Sequence, residues 1–70
     1  MKITLTGNDK QNDKSYDKIF SIIDKEVFIV KCEPTTENQT EKGYELNFDC
    51  SIPQSSIEKI ENLKNVKIEY

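Results

Sequence analysis

Any chemistry in this chain has to come from thiols, carboxylates and hydroxyls. Neither histidine nor arginine occurs, and lysine supplies all ten positive charges. That excludes an imidazole base, proton shuttle or metal ligand, and a bidentate guanidinium clamp on phosphate or carboxylate. Cys32 and Cys50 are the two candidate nucleophiles. The reactive species is the thiolate, and no imidazole or guanidinium is present to lower either pKa, so neither is assigned a catalytic role. Asp9, Asn12, Asp13 and Asp17 gather within Gly7 to Asp17 and look calcium-like at a glance. An EF-hand count begun at Asp9 puts Lys14 where glycine is required and Phe20 where the bidentate glutamate is required. The stretch reads as a solvated loop of mixed charge, with no metal. An Asp/Glu pair could do acid–base work, but nothing in the sequence marks a carboxylate for it. No catalytic residue and no cofactor are assigned.

The elements that position these residues are readable from periodicity. From Gly43 to Ile52, Tyr44, Leu46, Phe48, Cys50 and Ile52 fall on one side and Glu45, Asn47, Asp49 and Ser51 on the other. Successive strand side chains point to opposite faces, so this alternation predicts a half-buried central strand. Lys2 to Thr6 alternates in the same way, and Gly7 and Asn8 end it. Asp9 to Lys14 is expected to be loop. Ser15 caps a helix whose stripe is Tyr16, Ile19, Phe20 and Ile23, ending near Asp24 or Lys25. Val27 to Glu33 is a continuous β-rich run stopped by Pro34, and the all-polar stretch Thr35 to Lys42 is its connection to the central strand. Ser55 with Glu58, or Ser51 with Gln54, forms a capping box before a second helix carrying Ile57, Ile60 and Leu63. Val66, Ile68 and Tyr70 alternate with Lys67 and Glu69 as a last strand.

Strand, helix, strand, strand, helix, strand predicts one α+β domain over residues 1–70. It is the ferredoxin-like βαββαβ arrangement, a four-stranded antiparallel sheet with two helices on one face. The strand order is last, first, third, second, which puts Val27–Glu33 at an edge. Folded about Thr35–Lys42, the hairpin sets Cys32 opposite Tyr44 or Leu46, and Cys50 opposite Val27. That separation exceeds the Cα spacing of about 4.4–6.8 Å a disulfide needs. Both sulfurs are therefore expected as buried, reduced thiols. Val27, Phe28, Ile29 and Val30 offer apolar side chains to both faces, yet helices cover only one. Those four residues are the expected protein interface, for a homodimer or another protein partner.

Net charge is −3 and the sequence pI about 4.9. An acidic chain with carboxylates on its open sheet face argues against binding nucleic acid. No run of 18 apolar residues predicts a membrane span. The first residues read as a strand and not as a signal peptide, which predicts a cytoplasmic protein.

Ile3-Thr4-Leu5-Thr6-Gly7-Asn8-Asp9, followed by Ile19-Phe20-Ser21-Ile22-Ile23, resembles the opening of an ACT domain. That family is a small ligand-sensing module attached to many amino-acid-metabolism enzymes. Ile57-Glu58-Lys59-Ile60-Glu61-Asn62-Leu63 to Val66-Lys67-Ile68 looks like its last helix and strand, and is similar also to the C-terminal domain of methionine importer ATPases. The resemblance implies a non-catalytic regulatory, ligand-sensing or oligomerisation module. It implies a small amino-acid-like ligand at Gly7, Asn8 and Asp9. The family's Pro-Gly turn after Gly-x-Asp is replaced here by Lys10 to Lys14, so only those three residues carry over. The alternative reading is a small free-standing inhibitor of phage or plasmid type. It would bind another protein through its acidic surface and apolar edge strand.

Overall fold

Three alternating apolar segments and two amphipathic helices make the core, and a fourth, wholly polar strand completes the sheet. The computed structural model describes residues 1–26 and 32–70. Its elements are β1 (Lys2–Leu5), α1 (Asp9–Glu26), β2 (Thr36–Thr40), β3 (Gly43–Asn47), α2 (Gln54–Glu61) and β4 (Val66–Glu69). The strands lie in the order β2-β3-β1-β4 and every pair is antiparallel. This is the ferredoxin-like α+β fold that periodicity predicts.

Register explains the core. Ile3 stands opposite both Leu46 and Ile68, and Leu5 opposite Tyr44 and Val66. Period-two alternation thus sends one apolar set from three strands toward the helices. There it meets Ile19 and Ile23 of α1 and Ile60 of α2, all at most 1% exposed. Phe48 and Cys32 join the same cluster, and Phe20 packs against it half-buried. On the opposite face Lys2 pairs with Glu45 (3.8 Å) and Glu69 (3.5 Å).

The second strand is not where the apolar run predicts it. The edge place is filled by Thr36–Thr40, which pairs Thr36 with Asn47 through Thr40 with Gly43. Its side chains are exposed except the half-buried Thr40. A strand can be polar on both faces when its ladder partner is already fixed. Here a turn at Glu41 and Lys42 returns the chain directly onto β3. Among the described residues no non-glycine residue takes a positive φ, and the tight reversal falls on Gly43, at φ +140°. A Cβ there would run into the Leu5 carbonyl. Cys32 and Glu33, the described end of the expected Val27–Glu33 strand, lie outside any strand, and the place beside β3 expected for it belongs to Thr36–Thr40. Val27, Phe28, Ile29 and Val30, the expected interface, lie outside the described residues.

The helices also start differently from the prediction. α1 begins at Asp9, so the expected Asp9–Lys14 loop is its first turns. Asn8 is the cap: its Oδ1 accepts from the Gln11 amide (2.9 Å), and Gln11 Oε1 accepts from the Asn8 amide (3.0 Å). That reciprocal pair satisfies two amides otherwise left open at a helix start. Ser15, the expected cap, is buried inside the helix. α2 begins after Pro53, which is its N-cap and makes no side-chain cap hydrogen bond, so neither Ser51 nor Ser55 holds the cap position expected for it.

Candidate functional site

The first turns of α1 and the β2–β3 hairpin flank an open cleft of about 490 Å³. Asp9, Asp13 and Tyr16 reach it from one face of α1, at the spacing i, i+4, i+7 that stacks side chains on a helix. Asn12 lines it from the same helix. Gln39 and Tyr44 form the hairpin wall, and Leu5 is at the base. Among the described residues, no lysine lines it. The field inside is set by two carboxylates and two phenol rings.

Tyr16 is held in place from two sides. Its ring stacks on Phe20 (centroids 4.6 Å apart) and tilts against Tyr44 (6.4 Å). Phe20 in turn meets Phe48, so four rings run along the seam between α1 and β3. The Tyr16 hydroxyl donates to Glu37 Oε1 of β2 at 2.6 Å. That bond, helped by desolvation and the Glu37 charge, pushes the Tyr16 phenol up to about 12. The exposed Tyr70 hydroxyl makes a similar bond to Glu61, which also raises its pKa.

Of the three residues singled out for a ligand, only Asp9 lines the pocket. The Gly7 amide donates to Asn12 Oδ1 (3.0 Å), and the Asn8 amide to Gln11. Both are spent inside the protein. Gly7 is needed for close approach, since a Cβ there would press on Gln11 and on Asn65 Nδ2. Asn65 closes a polar network around this corner. Its Nδ2 donates to Asn12 Oδ1 (3.1 Å), its Oδ1 accepts from the buried Ser15 hydroxyl (2.6 Å), and its carbonyl accepts from the Thr6 amide (2.9 Å). Asn12 Nδ2 returns a bond to the Leu5 carbonyl (3.3 Å). The end of β1, the start of α1 and the turn into β4 are thereby pinned together.

The sequence singles out Asp9, Asn12 and Asp13 only as a calcium-like stretch that fails the EF-hand count, takes Tyr16 only for core, and gives no sign of Gln39 or Tyr44 as pocket residues. The signal for Asp9, Asp13 and Tyr16 was their spacing, visible only once the helix starts at Asn8. Gln39 and Tyr44 carry no such signal, because they meet only through the hairpin register.

The cysteines also differ from expectation. Cys32 and Cys50 form a disulfide, with Cα atoms 5.7 Å apart. The expected separation followed from the wrong second strand. With Thr36 opposite Asn47, counting four residues outward on each side puts Cys32 opposite Ser51, next to Cys50. Cys32 is buried and Cys50 half-buried.

Among the described residues, no cluster of three or more His, Cys, Asp or Glu is placed to hold a metal ion. Nor is any helix among them long and apolar enough to cross a membrane. No protein-family model, curated protein or solved structure matches this chain.

Proposed function

We propose that this is a non-catalytic ligand-binding domain of regulatory type, whose pocket between α1 and the hairpin seats a small amine. The observation that carries this is the pocket wall itself: Asp9 and Asp13 beside the rings of Tyr16 and Tyr44, with no lysine lining it. Carboxylates attract the ammonium, and phenol faces favour a cation within about 6 Å of the ring centre. The resemblance to ACT domains implies a free amino acid. The geometry supports its amine end only. A carboxylate would need a cation or open amides, and the amides of Gly7 and Asn8 already have partners. The non-catalytic reading is supported by the disulfide, which leaves neither Cys32 nor Cys50 as a thiol nucleophile.

Isothermal titration decides the matter. Free amino acids are compared with the corresponding amines lacking the carboxylate. The amines should give heat and the zwitterions less. Asp13→Asn should weaken the amines about tenfold or more, the scale of one hydrogen bond to a charged group. No heat with any amine would sink the reading.

A protein partner remains the second reading, now at β2. Thr36–Thr40 is an edge strand with no lysine, proline or bulge to blunt it. A partner strand could add to it through backbone bonds. The disulfide also moves the proposed location from the cytoplasm to an oxidising compartment, where such bonds persist.

A further inference from the structure

We propose that the Cys32–Cys50 disulfide is a redox latch on the edge strand: its two-electron reduction by a dithiol frees β2 from β3 while the rest of the fold stands. The inference begins with what β2 lacks. No residue of Thr36–Thr40 belongs to the apolar core, which is built from β1, β3, both helices, Cys32 and Phe48. β2 is held by its ladder to β3 and by side-chain bonds exposed to water. These include Asn47 Nδ2 to Thr36 Oγ1 (3.0 Å) and the Tyr16–Glu37 bond. Hydrogen bonds open to water are the ones local opening breaks first.

A hairpin frays from its open end. The turn at Glu41 and Lys42 closes one end of this hairpin, and the disulfide closes the other, since Cys32 precedes β2 and Cys50 follows β3. Cutting the bond leaves the open end held by the two Thr35–Asn47 hydrogen bonds and by the packing of Cys32 itself. An isolated polar ladder has little to hold it. β1 and β4 keep their own pairing, and every core residue but Cys32 lies outside the released segment, so the opening stays local.

The chemistry balances with one dithiol. Its thiolate attacks Sγ of Cys50, the more accessible sulfur, and the S–S electron pair leaves on Cys32, which takes a proton. The second thiol of the reagent then displaces Cys50 as a thiol. The protein gains two electrons and two protons, and the reagent leaves as its cyclic disulfide. A consequence follows for the pocket, and this part rests on the ligand reading. β2 supplies Gln39 to its wall and Glu37 to hold Tyr16, so release removes both.

Amide hydrogen exchange of the full chain, oxidised and after dithiol treatment, tests the latch. Reduction should speed exchange in the β2–β3 ladder by at least about tenfold, and change the β1–β4 ladder by less than about threefold. Cys50→Ser without reductant should match the reduced protein. Unchanged β2–β3 protection in either form overturns the proposal. So does loss of protection throughout the protein, or failure of Cys50→Ser to fold, since the bond would then secure the whole domain. Exchange reports the strand whether or not an amine binds, so a failed ligand reading leaves this test intact.

Discussion

β2 and β3 are neighbours in one sheet, joined by a short turn, and are made strands by opposite means. β3 is a strand because of its side chains: Tyr44 and Leu46 face the helices, Glu45 and Asn47 face away, and Leu46 is fully buried. β2 is a strand because of its position. Its sequence, Thr-Glu-Asn-Gln-Thr, has no apolar residue, and its helix-side positions hold Glu37 and Gln39, opposite Leu46 and Tyr44. Hydrophobic burial thus fixes β3 at the centre, whereas backbone bonds, a turn and a disulfide fix β2 at the rim. The central strand carries stability. The rim strand contributes no residue to the buried core.

The largest effect expected from this contrast is on the central side. Phe48→Ala, just beyond β3, should cost about 3–5 kcal/mol in urea unfolding, as for a buried aromatic truncated in a packed core. In a domain of this size that is a large part of the total stability. Asn38→Ala, at the middle of β2, should stay within about 0.5 kcal/mol of wild type. Similar losses from the two substitutions would show that β2 carries core energy after all, and the contrast would be broken.

This contrast also sorts what could be read in the sequence. β1, β3 and β4 are legible because alternation across Ile3 and Leu5, Tyr44 and Leu46, and Val66 and Ile68 is imposed by burial on one face, although β3 ends at Asn47 and the expected strand through Ile52 continues only as irregular chain. The strand order came correctly from element order alone. β2 was illegible because nothing in Thr36–Thr40 responds to burial, while the β-branched run before Pro34 drew the strand assignment to itself. That single misplacement carried over to the cysteines, whose pairing depends on hairpin register. The start of α1 was recoverable: Asn8 with Gln11 three residues on is a capping pattern. It was passed over because the first turns of the helix are polar and the apolar stripe begins only at Tyr16. Of the pocket, Asp9, Asn12 and Asp13 stand out in the sequence, though as part of a loop rather than a helix. The Asn12–Asn65 contact joins residues far apart in sequence, and no local pattern announces it.

An intermediate effect is expected at that asparagine corner, which is polar like β2 but half-buried, around the buried Ser15 hydroxyl. Asn65→Ala removes the acceptor of the buried Ser15 hydroxyl and a donor to Asn12. Leaving a buried hydroxyl without its partner costs about 1–3 kcal/mol. Ser15→Ala removes the hydroxyl itself, so it should cost less, and the double variant should cost less than the two singles added. Strict additivity in urea unfolding would mean the two side chains do not depend on each other.

The smallest effect on stability, and the sharpest probe of the rim, is Glu37→Gln. Glu37 joins β2 to α1 through the Tyr16 hydroxyl and is exposed. At neutral pH its loss should change stability by only a few tenths of a kcal/mol, as for an exposed polar pair. The phenol should report it more clearly. In the wild type the Glu37 carboxylate accepts a hydrogen bond from the phenol and opposes loss of its proton, which raises Tyr16 to about 12. The neutral amide removes the charge and weakens the bond, so Tyr16 in the variant should titrate closer to the ordinary tyrosine value of about 10. The sign of the linkage follows. The folded wild type holds this proton more tightly than the unfolded chain does. The resulting stability is present in full below about pH 10 and is lost as pH rises toward about 12. Wild type should therefore lose stability relative to Glu37→Gln across that window, with the Tyr70–Glu61 pair common to both and cancelling. Ring carbon shifts of Tyr16 followed by NMR against pH give the titration, and urea unfolding at both ends of the window gives the stability. An unchanged Tyr16 titration in the variant would show that β2 does not hold the phenol, and that Tyr16 is placed by Phe20 and Tyr44 alone.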